Sequence, residues 1–292
     1  MKRILSSQNL LDFDGTDDSV DCASRSSLDN VTTYTFIATI KADTIAAGIN
    51  EIAAKYGSSS NVGPVYMEID NTGGGRIVTF WSDGGAGQLC RSVGGAITTN
   101  TWYRLCSTLS GGGSTGKIYI DGVETTYGLN QAGGALQSDA SNNFQIGKIG
   151  ISGGQRFFDG IITEVAIWNT ALSTTDILRL GRSTMRGLPL HISPSNLRGY
   201  WPLDDTFGVA SGHNRTLYDL SGNLNHGTGS RGSNATGLLG KQSQSPYSEY
   251  SPIYLEKKSS FNQSRLSRLI IPEAAAAAST QASQRMMMGF GT

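Results

Sequence analysis

Charge is scarce in this 292-residue chain, and what there is cancels. Lys and Arg number 23, Asp and Glu number 23, and together they make 16% of the residues. A neutral chain offers no basic stripe to a polyanion, so nucleic acid is not expected as a partner. Histidine is scarcer still. His191, His213 and His226 are the three present, and no nucleophile–His–acid set accompanies them. Neither an HExxH motif nor a Cys/His cluster suggests zinc. The three cysteines, Cys22, Cys90 and Cys106, form no CxxC pair and leave an odd thiol. They are expected to be reduced structural thiols, with a Cys90–Cys106 bridge left open. No apolar run is long enough to span a bilayer, so no membrane partner is expected. The start Met1-Lys-Arg lacks the apolar run of a secretory signal. The chain is therefore expected to fold in the cytoplasm that makes it, and to reach an exterior by assembly or lysis.

Glycine is what the chain has in quantity, 38 residues against seven prolines. Many turns and few surface helices follow, which suits an all-β sandwich. Up to Ala171 the sequence is a series of short β-branched and aromatic runs closed by Gly, Asn, Asp or Ser. They lie at 10–23, 34–40, 51–56, 65–69, 76–81, 88–93, 102–109, 117–123, 144–149 and 160–168. Ile120-Asp-Gly-Val123 predicts a hairpin, because Asp-Gly accepts the positive φ angles of a type I′ turn. Ile162, Val165, Ile167 and Trp168 do not alternate, which predicts a bulge or burial on both faces. Ser173-Thr-Thr-Asp176 resembles a capping box with Asp in place of Glu, so a short helix is expected from Ser173, stopped by Gly181. After about Lys241 no periodicity remains, and residues 241–292 are expected to form an extended arm.

Five phrases resemble the laminin-G-like domains of secreted and phage proteins, a concanavalin A-like jelly roll. They are Leu11-Asp-Phe-Asp-Gly-Thr-Asp-Asp-Ser-Val-Asp21, Thr35-Phe-Ile-Ala-Thr-Ile-Lys41, Thr101-Trp-Tyr-Arg-Leu105, Thr115-Gly-Lys-Ile-Tyr-Ile-Asp-Gly-Val123 and the stretch from Phe158 to Ser173. Each phrase is weak, but the ordered set is specific. The resemblance implies a two-sheet antiparallel jelly-roll sandwich over residues 1–240, with one short helix. One departure stands out. Tyr200-Trp-Pro-Leu-Asp-Asp205 and Asp219-Leu-Ser-Gly-Asn-Leu-Asn-His-Gly-Thr228 resemble a segment that usually opens such a domain. Residues 198–228 are expected to be a permuted closing strand, the alternative being a truncated second domain.

The chemistry of the residues is sparse. Some glycosidases on this fold carry Glu-x-Asp-x-(x)-Glu on one strand, both glutamates flanking the glycosidic bond. Glu68-Ile-Asp70 begins that pattern, but Thr72 and Gly73 stand where the second carboxyl belongs, so no enzyme is expected. The Gly-rich runs at 73–75 and 111–113 lack the phosphate-loop pattern and are expected to be hairpin loops. The acidic turn offers Asp14 and Asp17 as candidate calcium ligands, and the resemblance adds Asp219 and Asn223. Trp102, Trp168 and Trp201 sit in structural phrases and are expected in the core. Trp81, next to Ser82-Asp-Gly-Gly85, is the candidate for stacking on a glycan. In the arm, Tyr254 and Leu255, and Leu269, Ile270 and Ile271, are candidates for adding a strand to a neighbouring subunit. These expectations converge on a non-enzymatic virion surface component, a head decoration or tail protein, that self-assembles or binds other virion proteins through its arm. The alternative is an extracellular or cell-surface lectin-like module or adhesin that binds carbohydrate.

Overall fold

The computed structural model describes residues 7–45, 48–56, 65–71, 73–81, 88–111, 114–132, 138–151, 154–183, 185, 187–203, 215–231 and 241–244. By internal contacts the chain divides into Met1–Ser251 and Pro252–Thr292. The second unit, with the candidate assembly residues Tyr254, Leu255, Leu269, Ile270 and Ile271, lies outside the described residues.

Among the described residues, all strand pairings are antiparallel, and they build two large sheets and two two-stranded ones. The seven-stranded sheet runs Val123–Glu124, Lys117–Ile120, Trp102–Ser110, Thr33–Ala42, Asp159–Trp168 and Leu197–Trp201, with Asp12–Asp14 also paired to Asp159–Trp168. The nine-stranded sheet runs Tyr127–Asn130, Gln88–Ser92, Arg76–Trp81, Tyr66–Asp70, Ile49–Lys55, Phe144–Ile146, Asp18–Asp21, Gly227–Arg231 and Arg215–Leu217. Early on, the chain crosses from one sheet to the other between Asp14 and Asp18. The late segment closes one edge of each sheet: Leu197–Trp201 pairs with Asp159–Trp168, while Gly227–Arg231 pairs with Asp18–Asp21 and carries Arg215–Leu217 as the outermost strand. Lys241–Gln244 pairs with Ser7–Leu10.

The core lies between the sheets. Phe144 stacks on Trp201 with ring centroids 5.2 Å apart, and Phe36 meets Phe144 edge-on at 6.4 Å. Aromatic pairs in these geometries contribute beyond the area they bury. Trp201 and Trp168 are wholly buried, while Trp102 is half-buried. Cys22, Cys90 and Cys106 are all buried free thiols. Cys22 and Cys90 face the core and Cys106 lies outside that cluster, so no Cys90–Cys106 bridge forms.

Several local expectations hold. Asp121 and Gly122 have φ of 51° and 81°, as a type I′ turn requires. The strand from Asp159 is buried on both faces and shifts register between Thr163 and Ala166, with Glu164 at φ 48°. Two expectations need correcting. The run at 144–149 is not one strand: Gly147, at φ 77°, breaks it, and a second strand, Lys148–Ile151, turns away to pair with Gly154–Phe157. A Cβ on Gly147 would meet the Phe13 ring at 2.4 Å, so close packing also requires glycine there. The helix begins as expected, Ser173 accepting from the Asp176 N–H, but it runs over Thr174–Arg182 and through Gly181. Gly181 is needed for approach, not termination. A Cβ there would lie 2.1 Å from the Gly122 nitrogen, in the hairpin turn against which the helix packs.

The helix, the bulge and the late strand meet at one buried ion pair. The Arg104 guanidinium bonds Glu164 and the Leu180 carbonyl. The other Glu164 oxygen accepts from the Tyr200 hydroxyl and the Gly187 N–H, both at 2.7 Å. Arg104→Ala would strand a buried carboxylate, a change that costs about 3–5 kcal/mol. We expect a loss of that size in urea unfolding, with Arg104→Lys intermediate.

Candidate functional site

The turn Ser26–Asn30 connects the nine-stranded sheet to the seven-stranded one. Leu28 points inward and is buried, which turns the polar neighbours out. Asn30 has left-handed backbone, φ 56°, and its N–H donates to Asp139 Oδ1 at 2.6 Å. Asp29 pairs with the buried Lys55 at 2.9 Å. Opposite this turn stand Asn169, just past the bulged strand, and Arg198, in the late strand. Together they enclose an open recess of about 420 Å³, lined by hydroxyl, amide and charged groups such as Ser26, Asp29, Asn30, Thr32, Asn169 and Arg198. Asn169 Oδ1 is buried there with no hydrogen-bond partner among the described residues.

The late turn shapes the Arg198 wall. Asp219 is wholly buried and accepts the N–H groups of Tyr200, Ser221 and Asn225, each at 2.9 Å. Asn225 donates to the Arg198 carbonyl at 2.6 Å, and Asn223 donates to the Leu197 and Arg198 carbonyls. Asp219 and Asn223 are thus committed to backbone groups. Asp14 and Asp17 do come together, with Asp18 as a third, their nearest carboxylate oxygens within 4.8 Å of one another. Asp219 is not in that cluster. Asp14 Oδ1 already accepts the Thr16 and Asp17 N–H groups, whereas calcium takes six to eight oxygens. Trp81 ends the strand Arg76–Trp81, and its side chain lies outside the described residues.

A second polar cluster sits on the nine-stranded sheet, on the face away from the core. Glu51 and Glu68 are directly opposed on neighbouring strands. The hairpin Lys148–Phe157 covers them, with Ile149 packed against Ala54 and Tyr66. Glu68 bonds the Tyr66 hydroxyl and, at 3.2 Å, Arg156 of the hairpin. Glu51 is wholly buried, and neither of its oxygens has a hydrogen-bond partner of good geometry among the described residues. Burial first, then the facing Glu68, pushes the Glu51 carboxyl well above the ordinary range. Burial likewise raises Glu68 to about 7, although Tyr66 and Arg156 favour its charge. A carboxyl does face Glu68, but from the preceding strand Ile49–Lys55 and buried beneath the hairpin. A motif read along one strand cannot find it, because the pairing register decides it.

The recess residues Asp29, Asn30, Asn169 and Arg198 were not singled out by the sequence either. Their types are ordinary in turns and strand ends, and the chain brings them together across the 169 positions from Asp29 to Arg198.

Comparison with known proteins places the chain among lectin-like sandwiches. The family model described as the concanavalin A-like lectin/glucanases superfamily matches residues 14–178. A Bacteroides ovatus protein provisionally assigned as carbohydrate-binding matches at TM-score 0.50 and 19% identity, over 76% of this chain and 58% of its own. The chain therefore spans less than two thirds of that protein. A heptameric SAP-like pentraxin from Limulus polyphemus matches at TM-score 0.40 and 16% identity, over 62% of this chain and 85% of its own. Tailspike protein 2 of the Escherichia coli O157:H7 bacteriophage CAB120 matches at TM-score 0.43 and 13% identity, over 69% and 31%. At such identities the likeness is one of fold, and the last two scores carry nothing further. No curated protein matches the chain.

The opposed glutamates give a pH signature. Both hold their protons more tightly in the folded chain, so protonation stabilises the fold. Each contribution is complete below the ordinary carboxylate value of 4.5; that of Glu68 is lost as pH rises through about 7, and that of Glu51 is lost as pH rises well above the ordinary carboxylate range. The melting temperature should fall from pH 5.5 to pH 8.5, and Glu51→Gln with Glu68→Gln should flatten the slope. A slope unchanged in the double variant would assign it elsewhere.

Proposed function

The chain belongs to the concanavalin A-like lectin/glucanase superfamily, and on that premise we propose that it is a non-enzymatic carbohydrate-binding module whose site is the recess between Ser26–Thr33 and Arg198. The observation that carries this reading is the lining of the recess. It is almost wholly polar, and about 420 Å³ suits one or two sugar rings. Sugar hydroxyls need paired donors and acceptors at fixed positions, which Asn169, Arg198 and the turn hydroxyls supply. The fold shared with the Bacteroides ovatus carbohydrate-binding assignment supports the class of ligand. Any calcium is expected at Asp14 and Asp17 with Asp18, away from Asp219.

The same module is suited to a virion surface, where residues 252–292 would hold it to identical or other subunits. The lack of strand or helix periodicity in the sequence after about Lys241 supports that setting. Made in a host cytoplasm, such a protein would reach the exterior by assembly.

Two measurements test these readings separately. On a glycan array, Arg198→Ala should weaken binding about tenfold, the value of one charged hydrogen bond, and Asn169→Ala about fivefold, that of a neutral one. EDTA should matter only if the aspartate cluster takes part. Binding that survives both substitutions would move the site elsewhere. Light scattering should show oligomers for the full chain and monomers for a truncation after Ser251. Equal masses would remove the assembly role and leave a soluble lectin.

A further inference from the structure

Lys55 ends its strand wholly buried, with a side chain 1% exposed. Its Nζ lies 2.9 Å from Asp29, 2.6 Å from the Asp139 carbonyl oxygen and 3.3 Å from Asp139 Oδ1. Asp139 is also wholly buried. Its Oδ1 accepts the Asn30 N–H at 2.6 Å, while Oδ2 has no hydrogen-bond partner among the described residues. A simple ion pair at this depth is costly, because each ion forfeits its hydration and one oxygen is left bare.

We propose that Lys55 and Asp139 form an intramolecular isopeptide bond, with Asp29 as proton shuttle and the Asn30 N–H as oxyanion donor.

The four groups occupy the places that acyl transfer to an amine requires. The Lys55 ammonium gives one proton to Asp139, leaving a neutral amine and a carboxylic acid. Burial favours that exchange, since it pushes the Asp139 carboxyl upward against the opposing influence of Asn30 and Lys55. The amine attacks the Asp139 carboxyl carbon and the C–N bond forms. Nζ is already at hydrogen-bond distance from that carboxyl, so only a near-attack approach to about 3–3.5 Å is needed. Negative charge on Oδ1 falls on the Asn30 N–H, which the left-handed backbone of Asn30 holds in place. Asp29 takes a second proton from nitrogen and delivers it to the hydroxyl at Oδ2, whose C–O bond breaks. Water leaves, and Asp29 ends unchanged. Ammonium plus carboxylate becomes amide plus water, with no oxidant or cofactor. The oxygen that departs is the one the fold leaves without a partner, and in the product neither Lys55 nor Asp139 carries a charge. Asp29 is 18% exposed and lines the recess, which gives the water a way out.

The intact mass of the purified full-length chain tests this directly. The expected value is one water, about 18 Da, below the sequence mass. Lys55→Arg and Asp139→Ala should each have their full sequence mass, and Asp29→Ala should be uncrosslinked. Trypsin should fail to cut after Lys55 and release a branched peptide joining it to Asp139. Succinimide at Asp14-Gly15, Asp83-Gly84, Asp121-Gly122 or Asp159-Gly160 would also cost one water. Hydroxylamine cleaves succinimide and spares the isopeptide. A wild-type chain at full sequence mass after prolonged incubation would overturn the proposal, as would a water loss that hydroxylamine maps to an Asp-Gly site.

Discussion

The salt bridge between Arg104 and Glu164 is the constraint on which the seven-stranded sheet and its outer layer depend. Glu164 reaches the pair only because its strand bulges, with the residue at φ 48°. A non-glycine residue in that region is disfavoured unless its surroundings fix it. What fixes it is visible: Arg104 from the sheet, Tyr200 from the late strand and the Gly187 N–H before the 3₁₀ turn Leu188–His191. Arg104 also reaches the Leu180 carbonyl, in the last turn of the helix. An arginine suits this place, because its planar fork serves several acceptors without losing its charge. Remove it and the bulge, the helix end and the late strand lose a common anchor.

The nine-stranded sheet solves a different problem. Its inner face joins the apolar core, but its outer face carries Tyr66, Glu68 and, opposite, Glu51. The hairpin Lys148–Phe157 covers that row and supplies Arg156 as a partial counter-charge. The hairpin exists because Gly147 turns the chain out of the sheet. One glycine thereby converts a single strand into a strand and a cover, and the cover pushes two carboxyls toward their neutral forms. An acid–base pair of this kind can mark an active site, since catalytic carboxyls are often shifted in the same direction. Burial weighs against that use: Glu51 is wholly enclosed and Glu68 is 5% exposed. A substrate would have to displace the hairpin to reach them.

How much of this was legible depended on range. Strand periodicity, the Asp-Gly turn and the Ser173 cap are local, and residues a few positions apart decide them. The uneven spacing of Ile162, Val165 and Ile167 even announced the bulge. Gly181 misled because glycine at a helix end has two meanings. It can stop a helix or admit a neighbour, and only the position of Gly122 tells them apart. The sites were less legible. Asp14 and Asp17 lie three residues apart and come together in the acidic turn. Asp219 and Asn223 are instead engaged by the backbone of their own turn and the adjoining strand. Glu51 and Glu68, or Asn30 and Arg198, meet through register and turn geometry that no short motif records.

Lys55 shows the same limit in its sharpest form. In sequence it is one lysine at the end of an apolar run, Ile-Ala-Ala-Lys, followed by Tyr56. Its environment comes from two distant loops, at Asp29 and at Asp139. The pairing of Phe144 with Lys55 brings the second of these to it. A buried lysine with two carboxylates can be read as a structural ion pair or as a reactive amine. The distinction lies in the distribution of partners. A purely structural site would satisfy both oxygens of the deeper carboxylate, yet Asp139 has one oxygen tied to a backbone N–H and the other without a partner. That asymmetry separates an oxygen to be kept from an oxygen to be lost. It also links the two halves of the recess chemistry, because Asp29 faces the amine on one side and the open recess on the other. Whether Lys55 is charged or acylated, Asp29 remains an acceptor at the recess wall, so ligand binding there and cross-linking behind it can be tested independently.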